Sequence, residues 1–139
     1  MPRSDGTTGS IGSLRRDAKT KVTVVVDNLV RRQKLWGEHG LSLLVEIEGR
    51  RILLDIGQSG EVLIHNSAAL GLNLKDVDCV VLSHGHYDHT GGLPALLNMV
   101  RHVNLYAHPK VFEKKYTKSG RNGSLTWGEI RVRECRHFA

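Results

Sequence analysis

Within the six residues His84-Gly85-His86-Tyr87-Asp88-His89 the chain places three imidazoles and one carboxylate, with further glycines close behind at Gly91 and Gly92. Neutral imidazole nitrogen and carboxylate oxygen suit Zn²⁺ and neighbouring first-row ions, and a catalytic zinc takes about three protein ligands plus one open position for water. Four donors this close are too many for one open site unless two ions share them. In an extended segment alternate side chains point the same way, so His84 and His86 converge on one ion. Asp88 and His89 fall past the bend, where the chain turns toward a helix, and face a second. Two ions about 3.5 to 4 Å apart hold a bridging hydroxide and clamp the attacking and leaving oxygens of a substrate. Asp88 is also the candidate catalytic residue, placed to orient that hydroxide or accept its proton. A surface histidine tract is the plain alternative. The context argues against it, because the cluster starts where an apolar run ends and leads into an amphipathic helix.

The elements that position the cluster follow from periodicity. The Val-rich stretch 21–27 reads as a strand, and 41–48 and 51–56 as two more joined by the tight Glu48-Gly49-Arg50 turn. Ser59 caps a helix over 60–70, with Glu61 in its first turn and Gly71 placed to end it. Residues 77–82 form a continuous apolar run, predicting a strand buried on both faces. It delivers the cluster at its carboxyl end, where open α/β sheets keep their sites. Leu93, Leu96, Leu97 and Val100 form one stripe of a helix, with Pro94 tolerated in its first turn. A strand over 103–107, a short helix over 109–116, a polar loop over 117–124 and a strand over 125–134 complete the reading. The class is therefore α/β with a mixed sheet and helices on at least one face.

Composition bounds the rest. The chain has 139 residues, 40% of them hydrophobic, enough for one domain's core. Residues 1–20 read as a disordered basic leader without a signal-peptide core, and 21–139 as the domain. The two cysteines, Cys79 and Cys135, offer no disulfide framework and suit a reducing, cytoplasmic setting, with Cys79 a small core residue. No apolar run is long enough to span a bilayer. Charge is uneven: residues 1–34 hold eight Lys or Arg against three acids, 35–100 hold three against eight, and 101–139 hold nine against three. An acidic centre favours a cation site. The basic tail with Lys110, Lys114, Lys115, Lys118 and Arg121 fits a phosphorylated small-molecule substrate, or simply a solvated face. Aromatics make up 5% and do not interleave with it, which disfavours nucleic acid.

The motif His84-x-His86-x-Asp88-His89 followed by Thr90-Gly91-Gly92-Leu93 resembles the signature of the metallo-β-lactamase-fold hydrolases. Glu38-His39-Gly40-Leu41-Ser42-Leu43-Leu44, the segment from Leu53 to Gly60, and Tyr106-Ala107-His108-Pro109 are similar to the dihydropterin ribofuranosylaminobenzene-phosphate synthase branch. The resemblance runs over about residues 21–118. It implies the N-terminal half of an αββα sandwich, with His84 and His86 on a first metal and Asp88 and His89 on a second. It also implies that Asp55 supports the ligands from behind. The implied cofactors are two divalent ions, Zn or else Mn, Fe or Mg. The implied reaction is hydrolysis, or transfer with loss of pyrophosphate.

Members of that family are longer and draw further His and Asp ligands from a second half, so this site is expected to be incomplete on its own. His102, His108 and His137 lie downstream outside any second motif, and His137 is close to the frayed end. His108, at a strand end before Pro109, reads equally as a cleft residue and as a turn residue. Two alternatives to an enzyme follow: an inactive, truncated remnant that keeps metal affinity, or a metal-binding half completed by a second chain or a homo-oligomer. A half sandwich also leaves one sheet face open to water or to a partner.

Overall fold

The computed structural model describes residues 19–100 and 102–113, together with the backbone of two strands at 116–118 and 125–127. In chain order these are β1 (Lys21–Val26), β2 (Ser42–Ile47), β3 (Arg50–Leu54), α1 (Gly60–Ala69), β4 (Cys79–Leu82), α2 (Tyr87–Thr90), α3 (Leu93–Met99), β5 (Asn104–Ala107), β6 (Tyr116–Lys118) and β7 (Leu125–Trp127). Short 3₁₀ turns occupy Leu74–Asp76 and Pro109–Phe112. Residues 1–18, most of the expected leader over 1–20, and the segment 128–139, with Cys135 and His137, lie outside the described residues.

The first five strands form one sheet in sequence order, antiparallel at β1–β2 and β2–β3 and parallel at β3–β4 and β4–β5. The antiparallel start needs only a loop and a two-residue turn, whereas each parallel step needs a crossover. Helix α1 supplies the first crossover, and α2 with α3 the second. Ser59 accepts a hydrogen bond from the Val62 N–H at 3.3 Å, the expected cap of α1. The predicted stripe of α3 is buried at Leu93, Leu96 and Val100, and Pro94 sits in its first turn. These side chains meet Val26, Leu44, Leu53, Ile56, Leu63, Val80 and Leu82 in one core between the sheet and the two helices.

Strand β4 departs from expectation. It alternates in burial, with Val80 and Leu82 in the core and Cys79 and Val81 only half-buried on the other side. The helices cover one face of the sheet. On the opposite face, among the described residues, Val22 pairs with Val45, Val24 with Leu43, Leu43 with Leu54, Ile52 with Cys79, and Val81 with Tyr106. This apolar band leaves Val22, Val24 and Tyr106 at least half exposed. A run of apolar residues does not reveal how many layers cover it. Cys79 therefore belongs to this open face and not to the core, and burial raises its thiol pKa, keeping it protonated.

The end of the described chain also differs. The helix expected over 109–116 is a single 3₁₀ turn that stops at Phe112, and Glu113 is already extended. Such turns rarely run beyond three or four residues because their hydrogen-bond geometry is poorer. Tyr116 opens β6, so Thr117 and Lys118 lie in a strand and not in the expected loop, paired antiparallel with β7. Leu125–Trp127 is the part of the expected last strand that is described.

No helix among the described residues is long and apolar enough to cross a membrane.

Candidate metal centre

Three parallel strands end side by side, and their carboxyl ends carry the chemistry. Leu54 pairs with Val81, and Leu82 pairs with Ala107. Asp55 follows β3, Ser83 and His84 follow β4, and His108 follows β5. Asp55 turns sharply out of its strand with φ 54, a left-handed conformation that Asp tolerates better than most residues. That bend tucks its carboxylate beneath the His84–His89 loop, where it is 1% exposed.

The buried carboxylate accepts three hydrogen bonds. Oδ1 takes the Ser83 backbone N–H at 2.8 Å, while Oδ2 takes the Ser83 hydroxyl at 2.6 Å and His89 Nδ1 at 2.7 Å. His84 Nδ1 lies 2.8 Å from Ser83 Oγ. Because that hydroxyl gives its only proton to Asp55, it can only accept from His84 Nδ1–H. One carboxylate thus fixes both rings, His89 directly and His84 through Ser83, with the proton on Nδ1 and Nε2 left bare. A bare Nε2 is what a metal ion binds, and a carboxylate behind the ring raises its basicity. Burial, with repulsion from His89 and His86, lowers the His84 pKa, which keeps the ring neutral.

Asp55, His84 and His89 have candidate ligand atoms within 4.8 Å of one another. Asp55 is the poorer ligand of the three, since three donors already occupy its oxygens. The rings of His84 and His86 meet edge to face with centroids 4.7 Å apart, and His84 and His89 lie 4.1 Å apart. His86 is more exposed than either. Asp88 and His89 stand on α2, with Asp88 Oδ2 3.5 Å from His89 Nε2. Ligands about 2.0 to 2.2 Å from a tetrahedral ion stand roughly 3.3 Å apart, so this pair is spaced to share one. The donor set, imidazoles beside carboxylates with the tautomers of His84 and His89 fixed, fits a borderline divalent cation.

The loop is held by backbone contact as well. Gly40 has φ 147, and a Cβ there would strike the Asp88 carbonyl oxygen; a Cβ at Gly91 would strike the Gln58 carbonyl oxygen. The Leu41 N–H donates to the Asp88 carbonyl at 3.3 Å, and the Ile56 N–H to that of His89 at 3.0 Å. The cluster is clamped between the segment before β2 and the segment after β3. Glu38 ties those two segments together, accepting from the Gln58 N–H at 2.9 Å and the Ser59 hydroxyl at 2.7 Å.

Two further residues at the site were given no site role from sequence, although His39 stands in a segment similar to the synthase branch. His39 Nε2 lies 3.4 Å from Asp88 Oδ2 on the solvent side. Asn28 Nδ2 lies 3.2 Å from His39 Nδ1, while Asn28 Oδ1 accepts from the Gly40 N–H at 2.9 Å. The Asn28 carbonyl is thus committed, its amide donates to Nδ1, and the His39 proton sits on Nε2 facing Asp88. Ser83 is the third omission. Its position directly before His84, at the end of a strand, was the one signal available.

His108 lies across a cleft of about 290 Å³ from the cluster, lined also by Ser83, His84, His86 and Lys110. Its Nδ1 caps the 3₁₀ turn, accepting from the Lys110 N–H at 3.2 Å, and its ring lines the cleft.

Comparison with known proteins follows the same residues. The profile of the metallo-beta-lactamase superfamily matches residues 35–128. The 7,8-dihydropterin-6-methyl-4-(beta-D-ribofuranosyl)-aminobenzene-5'-phosphate synthase of Methanocaldococcus jannaschii is 34% identical over 99 residues, 68% of this chain and 34% of that protein. A ribonuclease Z of Clostridium botulinum is 39% identical over 57 residues, 41% of this chain and 17% of that protein. Among solved structures, the Rm3 metallo-beta-lactamase shares 30% identity with a TM-score of 0.46, covering 63% of this chain and 29% of that one. The chain spans about a third of the length of the synthase.

Proposed function

This chain belongs to the metallo-beta-lactamase superfamily, and from that premise we propose that it is a metal-dependent hydrolase or transferase acting on a phosphorylated or ester-type small molecule. The observation that carries this reading is the single buried carboxylate, Asp55, setting the tautomers of two ring ligands at once. A fold has little reason to bury a carboxylate merely to hold two solvent-facing histidines.

In the proposed site His84 and His86 hold one divalent ion, and Asp88 and His89 a second, with zinc the natural occupant and Mn, Fe or Mg the alternatives. Such ions, when bound, acidify water and neutralise charge on a leaving group. The protein's own part is distinct. Asp55 and Ser83 keep the rings oriented, Asp88 is the group able to accept a proton beside the ions, and the clamp from Gly40 to Gly91 holds the spacing. No serine or cysteine nucleophile is required. The cysteine usage supports a cytoplasmic setting as part of this proposal.

The test is turnover of p-nitrophenyl phosphate, bis-p-nitrophenyl phosphate and p-nitrophenyl acetate by the zinc-loaded chain, before and after dialysis against a chelator. Turnover that disappears with the metal and returns on adding it is the expected result. Metal-independent turnover, or metal-loaded protein inert toward all three, overturns the enzymatic reading. The apolar sheet face favours a second reading, a metal-binding half whose site is completed by another chain or by a second copy. One ion per chain, no turnover and a dimer in sedimentation would point there.

His39 supplies a prediction at the edge of the site. His39→Ala is expected to weaken the second ion by about 10-fold or more, because Asp88 loses the donor that orients it. His39→Gln, which keeps a donor, should recover most of that loss. Cobalt titration followed by visible absorption separates the two ions and checks it.

A further inference from the structure

We infer that Asn66, a buried residue of α1 outside the metal cluster, is a positioning residue for the second ion, acting on Asp88 through the Asn28–His39 pair. The inference rests on the proposed function for that ion, and names what holds His39 against Asp88.

The sheet begins with an irregularity. Val24 pairs with Leu43 and Val26 with Ser42, so two residues of β1 oppose one step of β2 and Val25 is left without a strand partner. Such a bulge bends the strand and re-aims the chain that follows. Val25 is 2% exposed, and a buried carbonyl there needs a donor. Asn66 supplies it, donating from Nδ2 at 2.8 Å.

The same side chain holds the other arm of the loop between β1 and β2. On the return arm the Trp36 N–H donates to Asn66 Oδ1 at 2.8 Å, and Asn66 Nδ2 donates to the Trp36 carbonyl at 2.8 Å. Two carbonyls that need donors and one N–H that needs an acceptor fix the orientation of the amide. The neighbouring His65 adds to the hold, its ring stacked on Trp36 with centroids 3.7 Å apart and its Nε2 2.9 Å from the Lys34 carbonyl oxygen.

Equal lengths of chain lead from these two contacts to the metal centre. Three residues beyond Val25 is Asn28, and three beyond Trp36 is His39. The arms are joined on the way by the Glu38 N–H, which donates to the Asp27 carbonyl at 3.3 Å. They meet where Asn28 Nδ2 approaches His39 Nδ1 and Asn28 Oδ1 accepts from the Gly40 N–H, and His39 Nε2 then faces Asp88. Asn28 and His39 are both exposed, so core packing does not set their register. The Glu38 carboxylate fixes the return arm alone. Among the described residues outside the loop, Asn66 is the side chain bonded to both arms. Without that crosslink the arms slide, the Asn28 amide leaves His39 Nδ1, and Asp88 loses an oriented donor.

Two measurements on the full chain test this. In the metal-free protein, imidazole nitrogen NMR reads where the proton of the neutral His39 ring sits. Nε2 is expected in wild type, and a mixture of Nδ1 and Nε2 in Asn66→Ala and in the isosteric Asn66→Asp, whose second oxygen repels both carbonyls. Leu63→Ala, at a buried apolar position on the same helix, controls for lost stability and should keep the wild-type tautomer. In a cobalt titration, Asn66→Ala is expected to weaken the second ion about fivefold, and to add less than about twofold in a His39→Ala background because both act through one pair. A proton that stays on Nε2 in either Asn66 variant, the same mixture in Leu63→Ala, or a further loss of about twofold or more in the double variant overturns the inference. If no second ion binds, the proposed function fails separately and the tautomer alone decides. Should the Asn66 variants not fold, amide exchange in wild type decides. The Trp36 and Gly40 N–H groups belong to one crosslinked unit and are expected to be protected to within about tenfold of each other, and a larger difference overturns the inference.

Discussion

Asp55→Asn is expected to lower divalent-metal affinity by about 10- to 100-fold while leaving the fold nearly intact. The two effects separate for physical reasons. Asn is among the residues that best accept left-handed backbone, so φ 54 costs little after the substitution. The side chain keeps its size in a position that is 1% exposed, so packing is conserved. The hydrogen bonds, however, cannot all survive. Oδ2 receives both the Ser83 hydroxyl and His89 Nδ1, and Oδ1 receives the Ser83 N–H. An amide has one oxygen, so its NH₂ must face donors at one of the two places. If it faces His89, that ring relieves the clash by moving its proton to Nε2, the atom that has to be bare to ligate. If it faces the Ser83 N–H, the start of the metal loop loses its anchor. Asp55→Ala should behave differently, adding a stability loss of about 1 to 3 kcal/mol for donors left buried without a partner. Competition with a chromophoric chelator gives the affinity, and urea unfolding gives the stability. Wild-type zinc affinity in Asp55→Asn would refute the tautomer relay.

How much of this was legible in the sequence divides along one line, the range over which an interaction acts. The cap of α1 at Ser59, the stripe of α3 and the strand that delivers His84 are set by residues a few positions apart, and all were readable from spacing. The candidate donors His84, His86, Asp88 and His89 lie within six residues, so their crowding was readable too. Ser83 and Asp55 are 28 residues apart, and His39 is remote from Asp88 along the chain. No local pattern sets those meetings; the parallel pairing of β3 with β4 and the close approach at Gly40 do. Resemblance to a family placed Asp55 near the ligands, yet the route by which it acts on His84, through Ser83, needed coordinates. The covering of β4 was misjudged for a related reason. Val80-Val81-Leu82 is apolar at every position whether one layer or two lies above it, and the open face formed with Val24, Leu43 and Leu54 follows from the sheet register alone.

Asp88→Ala is the substitution expected to reduce turnover most, by more than about 100-fold, with the metal content falling from two ions per chain to one. Structure should be preserved. The loop contact at this residue uses the backbone, where the Asp88 carbonyl accepts from the Leu41 N–H, and alanine is favourable on the short helix α2. His89 keeps its bond to Asp55, and His84 keeps its bond to Ser83. In the proposed two-ion site the pair His84 and His86 is therefore left untouched. What disappears is the carboxylate whose Oδ2 lies between His39 Nε2 at 3.4 Å and His89 Nε2 at 3.5 Å. Without it, the proposed second site would keep His89 alone. Asp88→Asn is the informative companion: it retains an oxygen for His39 to donate to but removes the charge, so it should keep the geometry and still lose most of the second ion. Metal analysis after gel filtration counts the ions, and cobalt absorption reports which one is missing. Two ions retained in Asp88→Ala, or full turnover with one, would mean that Asp88 is not a ligand of the second ion and that the division of the cluster into two pairs is wrong.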